Sequence, residues 1–186
     1  MRVISGSFKG KKIFEPRDKN TRPLKDLTKE SIFNILKHSN KFSVQLNNAN
    51  VLDLFSGVGS FGIECLSRGV KSVFFVENYK KVLPVLKKNL GNLKTVKNFY
   101  ILEKDVYNEN TLLSLNNKFD LIFLDPPYKD KNLTQIFKII NEAKILNDNG
   151  LVILHRHKNE EDKFASNFKI LERKKYGISK IIFLSC

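Results

Sequence analysis

From residue 50 onward, short apolar runs alternate with helical patterns, and this alternation restricts the chain to a small set of folds. Strands are predicted near residues 50–55, 72–77, 98–103, 119–124 and 149–155, with helices near 60–69, 79–91, 109–116 and 131–146. Strands separated by helices form βαβ units, which assemble into a mostly parallel sheet. Residues 168–184 hold two more apolar-rich runs joined at Tyr176 and Gly177, which predicts a terminal antiparallel hairpin. The predicted class is α/β.

Residues 1–41 are predicted to form a basic extension in front of this domain. Two β-prone runs around Gly6 and Gly10 indicate a hairpin. A helix follows, with one apolar face formed by Leu24, Leu27, Ile32, Ile35 and Leu36. Residues 40–49 are rich in Asn and low in apolar content, so we interpret them as a linker into the main domain, residues 50–186.

The charge of the chain is uneven and strongly positive. The net charge is +14, and residues 1–41 hold eleven Lys and Arg against four acids, which is half of that excess. This distribution favours a nucleic-acid partner over a merely solvated surface. The chain has no charged-then-apolar leader and no apolar run of membrane-spanning length, and Cys65 and Cys186 lack metal or redox spacing. We therefore expect an unprocessed, monomeric protein of the reducing cytoplasm.

Asp125-Pro126-Pro127-Tyr128 directly follows the predicted strand 119–124. Two prolines cannot join a sheet ladder or a helix interior, so the chain must leave the sheet stiffly at this point. The turn lies at the carboxyl edge of a strand, where open α/β sheets bind ligands. Asp125 and the Pro126 carbonyl can accept the hydrogens of a planar amine while Tyr128 stacks on its ring. The motif indicates chemistry on an exocyclic amino group; the alternative is a tight turn that only closes a strand.

A glycine loop follows the first strand of the domain. Gly57, Gly59 and Gly62 match G-x-G-x-x-G, and Glu77 follows Gly57 by twenty residues. This spacing alone fits a nicotinamide or flavin dinucleotide enzyme. Asp53, four residues before Gly57, favours another ligand. Its carboxylate would repel a pyrophosphate but attract the amino group of S-adenosylmethionine, which carries a cationic sulfonium and no phosphates.

Four acids stand at successive strand ends: Asp53, Glu77, Asp105 and Asp125. Glu77 can accept both ribose hydroxyls, and Asp105, followed by Val106, can bind the adenine amine. Each acid alone would be interpreted as a solvated loop residue. Together they favour an S-adenosylmethionine site.

These motifs resemble those of class I methyltransferases, and more narrowly the bacterial 16S rRNA (guanine-N2) methyltransferase family of the RsmD type. The resemblance extends over nearly the full length, and its specific segments are residues 2–6, 10–12, 22–23, 30–34, 53–59, 125–128 and 175–177. The opening segments are the most specific, since the glycine loop and Asp-Pro-Pro-Tyr occur in many amino-methyltransferases. Tyr128 departs from the Phe that is more usual in this family, and either ring can stack.

The resemblance implies a Rossmann-like, mostly parallel seven-stranded sheet and methyl transfer to the N2 amine of one guanine in 16S rRNA, within an assembled or assembling small subunit. It implies a catalytic motif of Asp125, Pro126, Pro127 and Tyr128, and a cofactor site of Asp53, Phe55, Ser56, Gly57, Gly59, Glu77, Asp105 and Val106. The extension would help to hold RNA. Our candidates for phosphate contacts there are Lys9, Lys11, Lys12 and Arg22.

Other interpretations remain open at this point. A DNA adenine-N6 or cytosine-N4 methyltransferase also uses Asp-Pro-Pro-Tyr, but the chain has little room for a target-recognition region. A protein glutamine methyltransferase would more typically have Asn at position 125. An RNA-binding assembly factor without catalysis is the alternative outside enzymes, and the dinucleotide oxidoreductase also stays open. His155 and His157 alternate along the fifth strand without a partner cluster, so we expect no metal site.

Overall fold

The computed structural model describes residues 1–16, 24–42, 44–127 and 130–186. Within these ranges, seven strands form one sheet in the order β3-β2-β1-β4-β5-β7-β6. The first five strands run parallel to one another, and β7 pairs antiparallel with both β5 and β6. The strands are β1 Asn50–Leu54, β2 Ser72–Val76, β3 Phe99–Leu102, β4 Phe119–Leu124, β5 Leu146–His157, β6 Lys169–Tyr176 and β7 Ser179–Ser185. The predicted fold class and the terminal hairpin are confirmed.

Five helices accompany the sheet in the described part of the chain: α1 Asp26–His38, α2 Ser60–Ser67, α3 Leu83–Gly91, α4 Glu109–Leu113 and α5 Leu133–Ala143. All four helices predicted after residue 50 are present, but each is shorter than predicted. The largest shift of a single helix end is at α3, which was predicted from residue 79 and begins at Leu83. Pro84 lies in its first turn, where the missing N–H has no helical partner to lose.

Alternation along the strands decides which face of the sheet each side chain enters. Odd-numbered residues such as Val51 and Leu121 pack against α1, α2, α3 and the N-terminal segment. Even-numbered residues pack against α4 and α5, and Phe119 joins them because the register of β4 shifts between Phe119 and Leu121. Asp53, Asp125 and His155 continue the odd series on the neighbouring strands β1, β4 and β5, so the pattern directs all three towards the face that α2 covers.

The apolar face predicted for α1 is partly wrong. Leu27 is 78% exposed, whereas Phe33, which was left out of the predicted face, is buried. The error arises because Leu24 lies before the helix begins at Asp26, so a helical period cannot be counted from it. The linker segment is also less detached than its composition suggests, since the ring of Phe42 stacks on Phe183 with 5.4 Å between centroids.

Residues 1–14 form the predicted hairpin, which we call the N-terminal ribbon. Its two arms are joined by an antiparallel bridge between Arg2 and Lys12. Val3 and Ile13 are buried in the core on the α2 face of the sheet. The ribbon therefore contributes to the core of the larger domain.

A buried carboxylate anchors this ribbon to α2. Glu64 accepts the backbone N–H groups of Ile4 and Ser5 at 2.7 and 3.0 Å. Arg68 Nε donates to the same carboxylate at 2.8 Å, and the buried Lys29 Nζ of α1 lies 3.9 Å from it. Burial lowers the pKa of Lys29, while Glu64 and Asp26 oppose that shift. This Glu64 cluster joins the ribbon, α1 and α2. The division into an extension of 1–41 and a domain of 50–186 stays a prediction.

Candidate active site at the carboxyl edge of the sheet

The glycine loop connects β1 to α2 through left-handed backbone. Phe55, Gly57 and Gly59 have φ angles of 59°, 56° and 82°. A Cβ atom at Gly62, on the first turn of α2, would lie 2.3 Å from the ring of Phe75 on β2. Glycine at this position therefore allows α2 to pack closely on the sheet, with the start of the helix at the carboxyl edge.

Asp53 is the most buried acid of the candidate site, at 1% exposure. Its Oδ2 accepts the backbone N–H of Gly62 at 3.0 Å. Burial raises the pKa of this carboxyl well above its usual value; the Gly62 hydrogen bond opposes the shift, and the charges of Asp125 and Glu77 add to it. The carboxyl at this position therefore favours a cationic partner.

Glu77 directly follows β2 and organises the backbone around it. Its Oε2 accepts the N–H of Gly57 at 2.7 Å, and its Oε1 accepts those of Asn78 and Tyr79 at 3.0 and 2.8 Å. The carboxylate thus holds the glycine loop against the end of β2. A role on ribose hydroxyls stays a prediction.

The loop after β3 contains Asp105 and the buried Val106. Asp105 is exposed, and its Oδ1 accepts the N–H of Tyr107 at 2.9 Å. The Tyr107 ring lies against Phe55 of the glycine loop, with 5.9 Å between centroids. Burial and the hydrogen bond that the hydroxyl donates to Asp130 raise the pKa of Tyr107. This ring therefore connects the loops that follow β1, β3 and β4.

Asp125 lies at the end of β4 and is paired with a histidine of the next strand. Leu124 is the register partner of Leu154, so the following residues, Asp125 and His155, lie side by side. His155 Nδ1 and Asp125 Oδ1 are 2.8 Å apart. Burial acts to lower the pKa of His155, but the charge of Asp125 and the hydrogen bond outweigh it, so the pKa is raised. Asp125 therefore has a charge partner within the protein.

Pro126 is buried and Pro127 is exposed, so the motif passes from the core to the surface within two residues. The Pro127 carbonyl accepts a hydrogen bond from Arg156 at 3.2 Å. Tyr128 lies outside the described residues, and its stacking role stays a prediction.

The phosphate-contact candidates lie in different surroundings. Lys9 is exposed in the ribbon turn, next to residues that bond to the last residue of α2, Ser67. The Lys11 ammonium donates to the Asn92 carbonyl at the end of α3, so it has a partner within the protein. Lys12 is exposed with its ammonium 5.8 Å from the Phe14 ring centroid. Arg22 lies outside the described ranges.

Metal-binding clusters and membrane-spanning helices are absent from the described residues. No group of three or more His, Cys, Asp or Glu side chains there could hold a metal ion. No helix within those ranges is long and apolar enough to cross a membrane.

Comparison with known proteins agrees with the motifs. The family model described as conserved hypothetical protein 95 matches residues 1–185. The chain belongs to this family. It is 32% identical to ribosomal RNA small subunit methyltransferase D of Haemophilus influenzae over 183 residues, which cover 96% of this chain and 90% of that protein. The resemblance to the RsmD-type family is therefore confirmed.

Solved structures of this family and beyond share the fold. The crystal structure of HI0767 from Haemophilus influenzae is 30% identical, with a TM-score of 0.77, and the match covers 100% of this chain and 97% of that one. SMU.776, crystallised with S-adenosylhomocysteine (SAH), is 16% identical with a TM-score of 0.66, and the match covers 86% of this chain and 50% of that one. The family member described here thus has the Rossmann-like fold of class I methyltransferases.

Three residues of the candidate site were missed by sequence reasoning: Tyr107, His155 and Arg156. His155 had been considered only as a metal ligand. The signal that could have identified it is the position of β5 beside β4, because a parallel neighbour brings its own terminal residues to the same edge. Neither a motif nor a spacing marks Tyr107 or Arg156, whose contacts depend on the fold.

Proposed function

We propose that this family member is an S-adenosylmethionine-dependent methyltransferase that modifies the N2 amine of a guanine in 16S rRNA, within the small ribosomal subunit. The observation that carries the proposal is the placement of Asp125 on the strand next to Asp53, at the carboxyl edge and on the α2 face. One acid would face the cationic end of the cofactor, and the other would face the acceptor amine. The rRNA substrate is inferred from the relative named above.

The residues present fit this cofactor. Asp53 is a buried carboxyl whose nearest charged neighbours are acids, so a ligand ammonium would relieve an unfavourable environment. Ser56 Oγ, in the glycine loop, is buried and has no hydrogen-bond partner among the described residues. We assign Asp53 and the loop of Phe55, Ser56, Gly57 and Gly59 to the methionine part, Glu77 to the ribose, and Asp105 with Val106 to the adenine. When bound, the cofactor supplies an electrophilic methyl group.

The chemical problem on the acceptor side is the weak nucleophilicity of the guanine amine, whose lone pair is delocalised into the ring. Asp125 and the Pro126 carbonyl would accept the two amine hydrogens and turn the lone pair towards the methyl group. His155 holds the Asp125 carboxylate in one orientation by its 2.8 Å contact. The proton released after methylation passes to Asp125 or to water. Positioning of the two reactants supplies much of the rate.

The target guanine must leave its stack before it can reach Asp125. We propose that Tyr128 provides the replacement stacking surface. Lys9, Lys12 and Arg22 stay candidates for phosphate contacts, whereas the contact between Lys11 and Asn92 favours a structural role for Lys11.

The test is methyl transfer in vitro. Purified protein is incubated with methyl-labelled S-adenosylmethionine and, separately, with small subunits and naked 16S rRNA from a strain that lacks the gene. Asp125→Ala serves as the inactive control. The nucleosides are then separated to identify the labelled base.

Label in N2-methylguanosine supports both the reaction and the base, and the two substrates show whether ribosomal proteins are needed. Label in methyladenine or methylcytosine would keep the catalytic mechanism and overturn the base. If neither substrate is labelled although calorimetry shows that the protein binds SAH, the result would contradict the proposal and favour the non-catalytic assembly factor.

A further inference from the structure

A buried arginine holds the loop after β4 from behind. Arg156, on β5, is 3% exposed and points to the α5 face of the sheet, opposite to its neighbour His155. Its two terminal nitrogens donate to the carbonyls of Pro127 and Asp130 at 3.2 and 2.9 Å. These carbonyls lie two and five residues after Asp125 in the sequence. The guanidinium therefore fixes the backbone that immediately follows the acceptor residues.

The guanidinium is itself fixed by buried and half-buried acids. Arg156 Nε donates to Asp162 at 3.1 Å, and a terminal nitrogen lies 3.5 Å from Glu160. Lys180 Nζ lies 2.7 Å from the second oxygen of Asp162, whose side chain is 2% exposed. Two cations and two anions thus balance in this Arg156 network. Burying these charges costs desolvation free energy, so the network is weak evidence for added stability. We therefore interpret it as a network that defines the geometry of the loop.

The same loop is held from its other side through Asp130. The Tyr107 hydroxyl donates to the Asp130 carboxylate, which also accepts the N–H of Asn132 at 2.8 Å. The N–H of Asp130 donates to the Pro127 carbonyl at 2.9 Å. Asp130 thus receives a side-chain contact from β5 and another from the loop after β3.

We infer that Arg156 and Tyr107 are positioning residues for methyl transfer: they act through the carbonyl of Pro127 and through Asp130 to hold Asp125 and the Pro126 carbonyl in the geometry that the acceptor amine requires. This inference rests on the proposed function. Neither side chain is assigned a contact with the reacting atoms. Loss of the contacts made by Arg156 or Tyr107 should therefore lower turnover more than cofactor affinity. A displacement of about 1 Å at a reacting group costs on the order of 100-fold in rate.

The first test is Arg156→Lys. Lysine keeps the charge beside Asp162 but cannot donate along three fixed directions from one plane. We expect kcat for small-subunit methylation to fall about 10- to 100-fold, with the dissociation constant for SAH and the KM for subunits within about two-fold of wild type. The matched control is Arg173→Lys, the same exchange at an exposed position of β6, which should leave all three values unchanged.

The second variant is Tyr107→Phe, which removes one hydroxyl and leaves the ring and the Arg156 network in place. We expect kcat to fall about five-fold with unchanged SAH affinity. If Arg156→Lys does not fold, this variant decides, and wild-type turnover in it would overturn the inference.

An Arg156→Lys protein that folds and has the same kcat as Arg173→Lys would also overturn the inference. So would an Arg156→Lys protein that loses SAH affinity and kcat to the same extent. Failure of the proposed function has a different signature, because wild-type protein would then leave the rRNA unlabelled.

Discussion

The two halves of the site treat buried charge differently. On the cofactor side, burial raises the pKa of Asp53, and the charges of Asp125 and Glu77 add to the shift. On the acceptor side, Asp125 is paired with His155, and the loop behind it is tied to Arg156. The cofactor half is thus completed by a positively charged ligand, whereas the acceptor half is assembled by the protein itself.

This difference suggests why each half is built as it is. A cation-binding half can gain affinity from relieving a buried acid, so its unfavourable electrostatics favour ligand binding. An acceptor half that must orient a weakly nucleophilic amine benefits from rigidity before the substrate arrives. Substitutions in the two halves should therefore affect different measurements.

The largest effect is expected from Asp125→Ala. Loss of the amine acceptor should lower kcat on the order of 1000-fold, while SAH affinity stays within a few-fold of wild type, because the methionine site is formed by the other half. Single-turnover rates with labelled cofactor and isothermal titration with SAH give the two values. Loss of SAH binding together with activity would contradict the separation of the two halves.

Asp53→Asn should lower cofactor affinity and raise the stability of the ligand-free protein. We expect cofactor affinity to fall about 100-fold, because the ammonium loses its counter-charge. The pKa of Asp53 in the folded protein lies above the reference value of 3.8. Its contribution to stability is therefore fully present below about pH 3.8 and is lost as the pH rises through the folded pKa. The ligand-free variant should accordingly be more stable than wild type at pH 7.

Urea unfolding of Asp53→Asn and wild type, without ligand at pH 7, measures this gain. Glu109→Gln, at an exposed position of α4, is the matched control for removing one negative charge. An Asp53→Asn protein that is less stable than wild type would show that the acid is compensated within the protein.

His155→Gln should have a moderate effect that depends on pH. The pKa of His155 is raised in the fold, so its stabilising contribution is fully present below the unfolded value of 6.5 and is lost as pH rises through the folded pKa. The stability difference between wild type and variant should thus be larger at pH 6 than at pH 9. Turnover should fall about 10-fold, because Asp125 loses its orienting partner. Unfolding curves at the two pH values test the first expectation, and an equal difference at both would contradict it.

The smallest effects are expected in the N-terminal ribbon. Phe14 N–H bonds to Asn89, which also donates to the carbonyl of Val58 in the glycine loop, so this arm of the ribbon lies near the site. The ribbon turn lies at the other end of α2, whose eight residues span about 12 Å. Lys12→Met should therefore raise the KM for subunits about three-fold, and Lys9→Met less than two-fold. The KM values at two salt concentrations measure this, and a reversed order would move the proposed RNA contact to the turn.

The sequence predicts the cofactor half better than the acceptor half, for a physical reason. Gly57, Gly59 and Asp53 lie within seven residues of one another, so a local pattern contains the part of the cofactor half assigned to the methionine end. The support of Asp125 comes from His155, about thirty residues later, and depends on the strand order that places β5 beside β4. Spacing along the chain does not encode that order. The exposed Leu27 has a similar cause, because the start of α1 could not be located from apolar spacing alone.

The Glu64 cluster has a consequence for how the chain folds during synthesis. The ribbon residues Ile4 and Ser5 bond to a carboxylate about sixty positions later. At about 5 to 20 residues per second, a ribosome takes several seconds to make the intervening segment. The ribbon residues are therefore made before their partner, and contacts of such long range form slowly because the loop between them must close first. We therefore expect the ribbon to close across α2 late in folding.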